Sequence, residues 1–251
     1  MKRILAGLVL ALVFTSAGAL EQENQVDMKK AGEANAQLAL AYIRQGDLAT
    51  AREKLEKAMD QNPDSVTTQL AAGFLYDRLG DDRKALSHFE EAVKLSRDDP
   101  SVLNSYGVFL CLKVDKKKGE AVLLKAAASP MNRNPEFAYA NAGRCARADG
   151  RPKDAEQYLR KALGYKADQL DALFEMASLE HELGNDLAAR AFLERYAAAA
   201  PVSAASLWLG YRIERGLGDN AQAALYADRI KRDYPMSAEL TALIDAEKAQ
   251  K

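Results

Sequence analysis

A spacing of 34 residues recurs along this 251-residue chain, and it restricts the possible folds more than any other feature of the sequence. Each unit of the pattern contains a glycine that is followed five residues later by an alanine. The glycines are Gly46, Gly80, Gly150, Gly184 and Gly218, and the alanines are Ala51, Ala85, Ala155, Ala189 and Ala223. One interval is 70 residues, which is two periods and two extra residues. A fixed period of about 20 to 50 residues indicates stacked units that bury their apolar faces on one another.

Aromatic and proline positions keep the same order within the units. Tyr42 and Tyr76 precede their glycines by four residues, and Pro63, Pro201 and Pro235 follow theirs by seventeen. This order resembles the tetratricopeptide repeat, in which each unit is a pair of antiparallel helices. The fold class implied is all-α, a right-handed superhelical solenoid of about six tetratricopeptide repeats with a C-terminal capping helix. We expect each glycine to end the first helix of its pair in a left-handed conformation.

The predicted repeats cover residues 32–236. They are 32–65, 66–99, 100–133, 136–169, 170–203 and 204–236. Residues 237–251 are predicted to form the capping helix, and residues 20–31 lack periodicity and are predicted to be a flexible tail. The third repeat is the least regular, because Val114 occupies the position of the turn glycine and Gly119 that of the alanine. No linker rich in glycine, serine or proline interrupts the period, so we expect one continuous solenoid rather than two domains.

The first 19 residues have the composition of a Sec-type signal peptide. Lys2 and Arg3 precede an apolar stretch at 4–14, and residues 17–19 read Ala-Gly-Ala, a small-residue cleavage site. The stretch is too short for a permanent membrane anchor, although an uncleaved signal anchor is the alternative. We expect cleavage before Leu20 and a periplasmic protein. Removal of the two basic residues takes the net charge from −1 to about −3, which excludes a strongly basic nucleic-acid-binding surface.

The only two cysteines, Cys111 and Cys145, lie on the first helices of the third and fourth predicted repeats. In an oxidising compartment such a pair is more readily a disulfide than two free thiols. A bridge requires the Cα atoms to approach within about 7 Å, and it would connect the least regular repeat to its neighbour. The alternative is a pair of buried, unbonded thiols that pack as small apolar residues.

The sequence contains no recognisable catalytic or metal-binding motif. The patterns G-x-S-x-G, G-x-x-x-x-G-K-[ST], C-x-x-C and H-E-x-x-H are absent, and His88 and His181 are the only histidines. We therefore predict a monomeric protein that is not an enzyme and that has no cofactor, metal or small-molecule substrate. A periplasmic enzyme with an unrecognised catalytic part is the competing interpretation.

A concave wall of first helices is the surface that such a solenoid offers to a partner. In this repeat the wall is built mainly from positions 2, 5, 9, 12 and 13 of each first helix. Arginine and large aromatic residues, which dominate binding hot spots, recur there. The predicted groove residues are Leu40, Ile43, Arg44, Leu70, Phe74, Arg78, Asn104, Arg144, Arg147, Phe174, Trp208 and Arg212. For Phe174 and Trp208, packing between helices is the alternative role.

Several stretches resemble the PilW (PilF) family of type IV pilus biogenesis and stability proteins. The most specific are "LAARAFLERY" (187–196), "SLWLGYRIERGLGD" (206–219) and "RIKRDYPMSAE" (229–239). The resemblance implies a scaffold that acts with the outer-membrane secretin and other type IV pilus assembly proteins. Its implied role is in secretin multimerisation or localisation and in pilus stability. It also implies a bridge between repeats three and four in members that have cysteines at these positions.

One departure from this family concerns the membrane. Many members are lipoproteins with an acylated cysteine just after the apolar core of the signal, whereas residues 14–22, "FTSAGALEQ", contain none. We therefore expect a protein that stays free in the periplasm, without a lipid anchor. The alternative function is a general periplasmic interaction module of another envelope system, such as polysaccharide export or cytochrome maturation.

Overall fold

The computed structural model describes residues 25–249, which form thirteen α-helices and no strand within that range. Helix α1 covers residues 25–45. The others are α2 (Leu48–Gln61), α3 (Val66–Arg78), α4 (Asp82–Ser96), α5 (Pro100–Phe109), α6 (Lys116–Ala128), α7 (Pro135–Ala148), α8 (Pro152–Tyr165), α9 (Leu170–Glu182), α10 (Asp186–Ala197), α11 (Ala204–Leu217), α12 (Asn220–Asp233) and α13 (Ala238–Lys248). The predicted all-α fold class is confirmed. The predicted signal peptide, residues 1–19, lies outside the described residues.

The chain divides into two compact units between Phe109 and Leu110. Unit 1 contains α1 to α5, and unit 2 contains α6 to α13 together with the turn that precedes α6. The division falls within the third predicted repeat, where the sequence pattern is weakest. The single continuous solenoid stays a prediction.

Five glycines end first helices in the left-handed conformation that the sequence predicts. Their φ angles lie between +71° and +83°, at Gly46, Gly80, Gly150, Gly184 and Gly218. Only glycine adopts this conformation without a steric cost from Cβ. The residue after the glycine can then cap the second helix. Asp81, for example, accepts a hydrogen bond from the Lys84 amide through Oδ1 at 3.1 Å.

The third repeat replaces the left-handed glycine with a π-helical turn at Leu110–Val114. The Asp115 amide donates to the Leu110 carbonyl at 2.8 Å, a hydrogen bond that spans five residues. A β-branched residue such as Val114 is strained at positive φ. This repeat therefore makes the same five-residue hydrogen bond that Asp81 makes to Tyr76 in the second repeat, but without a left-handed residue. The irregularity in the sequence therefore corresponds to a different conformation of the turn before α6.

The N-terminal helix begins earlier than the sequence predicts. Residues 25–31, which were expected to belong to a flexible tail, are helical and continuous with the rest of α1. The Lys29 carbonyl accepts a hydrogen bond from Asn62 Nδ2, at the C-terminal end of α2, at 3.4 Å. The glutamine, lysine and alanine residues of segment 25–31 favour helix but do not form an apolar stripe. The periodicity of the sequence therefore does not reveal this first part of α1. The tail prediction is wrong for these residues, and residues 20–24 lie outside the described range.

Small residues let the helices of unit 1 approach closely. A Cβ atom at Gly73 of α3 would lie 3.0 Å from the Phe89 ring of α4. Phe89 is fully buried, with its ring centroid 5.2 Å from that of Phe74 and 5.0 Å from that of Phe109. This aromatic cluster is the centre of the unit 1 core, because it joins α3, α4 and α5.

Arginine–glutamate pairs connect helices of neighbouring repeats in unit 2. The pairs are Arg151 with Glu120, Arg147 with Glu175, and Arg190 with Glu214. All three glutamates are buried, so each carboxylate depends on its guanidinium for charge compensation. At the first pair, the Tyr158 hydroxyl also donates to Glu120 Oε1 at 3.0 Å. Burial and this hydrogen bond raise the pKa of Tyr158 to about 12, so the hydroxyl stays a donor across the physiological range.

Candidate partner-binding surfaces

The predicted apolar groove residues of unit 1 lie at the boundary between core and surface. Leu40 on α1 and Phe74 on α3 are half-buried and pack against the same apolar cluster, which includes Ile43 and Ala51. Leu70 packs with Phe74 against the cluster around Phe89. Ile43 is only 6% exposed, so it has almost no surface to offer a partner. Leu40, Leu70 and Phe74 combine a core contact with an accessible face.

The polar groove residues of unit 1 are more accessible. Arg44 and Arg78 are exposed, and each stands two residues before a left-handed glycine. They are therefore equivalent positions on the first helices of adjacent repeats, at the C-terminal ends of α1 and α3. Asn104 on α5 is half-buried. The unit 1 surface thus combines a half-buried apolar strip with two exposed guanidinium groups.

Arg147 is engaged within unit 2 rather than exposed to solvent. Its Nε donates to Glu175 Oε2 at 2.9 Å, and its Nη1 donates to Glu182 Oε1 at 2.5 Å. Both glutamates lie on α9, so this arginine ties α7 to the first helix of the next repeat. The partners are 28 and 35 residues away in the chain, so the sequence pattern predicts a groove residue at a position where the structure has ion pairs between repeats.

Arg144 and Arg212 differ from Arg147, because no carboxylate of residues 25–249 forms a salt bridge with either. Arg144 Nη2 donates to the neutral Asn141 Oδ1 at 3.0 Å, and Arg212 on α11 is half-buried. Phe174 and Trp208 accompany them on α9 and α11. Phe174 lies 5.4 Å from the Tyr196 ring, and Trp208 stacks on Tyr211 at 5.4 Å. Each aromatic ring therefore has an intramolecular packing partner and is also half-exposed.

The two cysteines form a disulfide within unit 2. Cys111 lies in the π-helical turn and Cys145 on α7, with their Cα atoms 5.9 Å apart. Helix α6 approaches the same place: a Cβ atom at Gly119 would lie 2.4 Å from the Cys111 amide nitrogen. Gly119 therefore replaces the expected alanine because α6 touches the backbone of the bridged turn. Both sulfur-bearing residues are buried.

A pocket of about 290 Å³ in unit 1 was not predicted from the sequence. Tyr76 forms part of its lining, with Lys84 Nζ 4.9 Å from the ring centroid and the His88 ring stacked at 5.4 Å. Arg52, Glu56 and other side chains of α2 complete it. Tyr76 stood out in the sequence only as a repeat landmark, and its neighbours on α2 and α4 were not singled out.

Two further observations concern the part of the chain that the structure describes. Within it, no group of three or more histidine, cysteine, aspartate or glutamate residues is arranged to hold a metal ion. Across the same residues, none of the helices is sufficiently long and apolar to cross a bilayer.

Comparison with known proteins places this architecture in a class. Tetratricopeptide-repeat family models match residues 31–98 and 140–204. These matches together span more than half of the chain, which therefore belongs to the tetratricopeptide-repeat proteins. Within this class it is similar to the type IV pilus assembly protein PilF of Pseudomonas aeruginosa, with 27% identity over 240 residues. That alignment covers 93% of this chain and 95% of PilF.

Solved structures give the same relationship. The crystal structure of PilW, a type IV pilus biogenesis factor, matches with a TM-score of 0.72 and 28% identity, covering 85% of this chain and 98% of PilW. The structure of Pseudomonas aeruginosa PilF matches with a TM-score of 0.70 and 26% identity, covering 90% of this chain and all of PilF. The resemblance to the PilW (PilF) family, predicted from the sequence, is confirmed.

Proposed function

We propose that the protein is a non-enzymatic periplasmic scaffold for type IV pilus biogenesis. It acts with the outer-membrane secretin, in secretin assembly or localisation, and in pilus stability. The similarity to PilF over more than nine-tenths of both chains carries this proposal. A shared length matters here, because a scaffold that presents an extended surface needs all of its repeats.

The proposed compartment is the periplasm, where the protein is free and monomeric. The Cys111–Cys145 disulfide supports an oxidising compartment, because structural disulfides persist outside the cytosol. The signal-peptide pattern at the N-terminus agrees with export.

The proposed mechanism is capture of a partner segment by the first helices. Repeat scaffolds bind extended or helical segments by burying a few anchors in pockets along one wall. In unit 1, Leu40, Leu70 and Phe74 offer apolar faces. Arg44 and Arg78, on the same first helices, offer exposed charges. The apolar residues supply affinity through burial, and the guanidinium groups orient an acidic flank of the partner.

Complementation of a deletion strain tests this function. Deleting the gene should reduce surface pili, and the wild-type gene should restore them. The double variant Leu40→Ala/Phe74→Ala should restore few pili, because losing two anchors weakens partner binding by about tenfold or more. We expect a lower melting temperature as well, because Phe74 also packs against the buried Phe89 ring, so pili are counted at a temperature at which the variant is folded. Pilus counts by electron microscopy and thermal melts of the purified variants are the measurements.

A charge variant separates binding from folding in the same assay. Arg78→Glu should also restore few pili, whereas Arg83→Glu, an equal charge change on the second helix of the same repeat, should restore them fully. Both arginines are exposed, so neither change disturbs the core. Normal piliation in the deletion strain would contradict the proposed function and favour another envelope system.

A further inference from the structure

Arginines occupy equivalent positions on the first and third of three adjacent first helices in unit 2. Arg144 on α7 and Arg212 on α11 each stand six residues before a left-handed glycine, and Ser178 is the equivalent residue on α9. Phe174 and Trp208 lie four residues before Ser178 and Arg212, so each shares a helix face with the residue one turn later. The row of first helices thus carries an arginine on α7, an aromatic residue on α9, and an aromatic residue with a second arginine on α11.

The contacts of neighbouring glycines show that neither arginine faces the second helix of its own repeat. On α11, a Cβ atom at Gly210 would meet the Tyr226 ring of α12 at 2.6 Å. Arg212 lies about 200° further round the helix and therefore faces away from α12. On α7, a Cβ atom at Gly143 would meet Leu159 of α8 at 2.6 Å, and Arg144 lies about 100° from that contact. Arg212 therefore lies on the side of α11 opposite α12, and Arg144 lies at the side of α7, clear of its contact with α8.

The ion pairs between the repeats of unit 2 are made by arginines other than Arg144 and Arg212. Arg147 compensates Glu175 and Glu182 on α9, and Arg190 compensates the buried Glu214 on α11. The buried carboxylates of Glu175 and Glu214 are thus already paired with other guanidinium groups. An uncompensated arginine beside a half-buried aromatic ring is the combination that binds a partner carboxylate strongly, through charge-assisted hydrogen bonds.

Helix spacing sets the distance between the two charges. Packed helices lie about 8–10 Å apart, and α9 contacts both α7 and α11. Arg144 and Arg212 are therefore on the order of 16–20 Å apart along the row of first helices. An extended chain advances about 3.3 Å per residue, so this distance corresponds to about five or six residues of a partner.

We propose that unit 2 binds an extended, acidic segment of a partner protein. Two carboxylates of that segment, about five or six residues apart, bind Arg144 and Arg212. An apolar side chain between them rests against Phe174 and Trp208. This proposal rests on the proposed scaffold function and names the chemistry of the partner segment at one of its surfaces.

Synthetic peptides of stated composition test the proposal with the full-length protein. The probes are fluorescein-labelled twelve-residue peptides of serine and alanine, with one central leucine and two aspartates separated by two to eight positions. Fluorescence anisotropy should show the tightest binding at a separation of five or six, at least about tenfold tighter than at two, because only then are both guanidinium groups engaged. Arg144→Gln and Arg212→Gln should each weaken that peptide by about tenfold and abolish the dependence on separation.

Arg133→Gln is the matched control, because Arg133 is exposed between α6 and α7 and its loss changes the net charge equally. It should leave the binding of every peptide unchanged. Binding that does not depend on the aspartate separation, equal weakening by Arg133→Gln, or no binding of any peptide would overturn the proposal. Failure of the proposed function is distinguishable, because it is measured by pilus counts in the deletion strain, which involve no peptide.

Discussion

Gly119→Ala is expected to lower the free energy of unfolding by about 3 kcal/mol. The new Cβ atom would lie 2.4 Å from the Cys111 nitrogen and 2.7 Å from its Cα atom. These are backbone atoms of a turn that is bonded to α7 through Cys145, so the turn cannot yield as a flexible side chain would. Either α6 moves outward or the bridged turn distorts. Urea unfolding followed by circular dichroism measures the loss.

Gly164→Ala is the control for this experiment. Gly164 lies in α8, and no atom stands within 4 Å of the position its Cβ would take. The same change there should be neutral or should stabilise by about 0.5–1 kcal/mol, because alanine is the better helix former. Equal effects of the two substitutions would show that α6 does not approach the Cys111 turn closely.

Cys111→Ser is expected to lower the free energy of unfolding by about 3–4 kcal/mol under oxidising conditions. The bridge joins residues 34 apart in sequence, and removing it returns conformational freedom to the unfolded chain. Under reducing conditions the variant should differ little from the wild type, because both then lack the bridge. Cys145→Ser should behave in the same way. Thermal melts with and without reductant make the comparison.

Thiol labelling of the unreduced wild type is an independent check. No reaction with a maleimide is expected, even after denaturation, unless reductant is added. Two reactive thiols in freshly purified, denatured protein would contradict the disulfide.

The fold was predictable because one physical requirement recurs every 34 residues. Each helix pair needs small residues where its helices touch and a left-handed residue where the first helix ends. Gly73 against Phe89 and the positive φ of Gly80 meet these two needs in the second repeat. Because the same pattern recurs in several units of one chain, the order of the helices can be predicted from this sequence alone, without homologous sequences.

The errors and omissions arose where the period carries no information. Residues 25–31 are helical but polar, so they leave no apolar pattern. The π-helical turn before Asp115 makes the same five-residue hydrogen bond as the glycine turns, so the missing glycine is its only signature in the sequence. Arg147 finds its carboxylates on α9, and only the packing of neighbouring repeats brings them together. Side-chain pairing across repeats is set by how neighbouring repeats pack rather than by the sequence of any one repeat.

Affinity capture from envelope extracts tests the proposed scaffold role most directly. The purified, oxidised protein is immobilised, and retained proteins are identified by mass spectrometry after chemical cross-linking. The outer-membrane secretin or other type IV pilus assembly proteins should be enriched, and the Leu40→Ala/Phe74→Ala variant should retain far less of them. Retention of the assembly proteins of a different envelope system, with no pilus component, would contradict the proposed function.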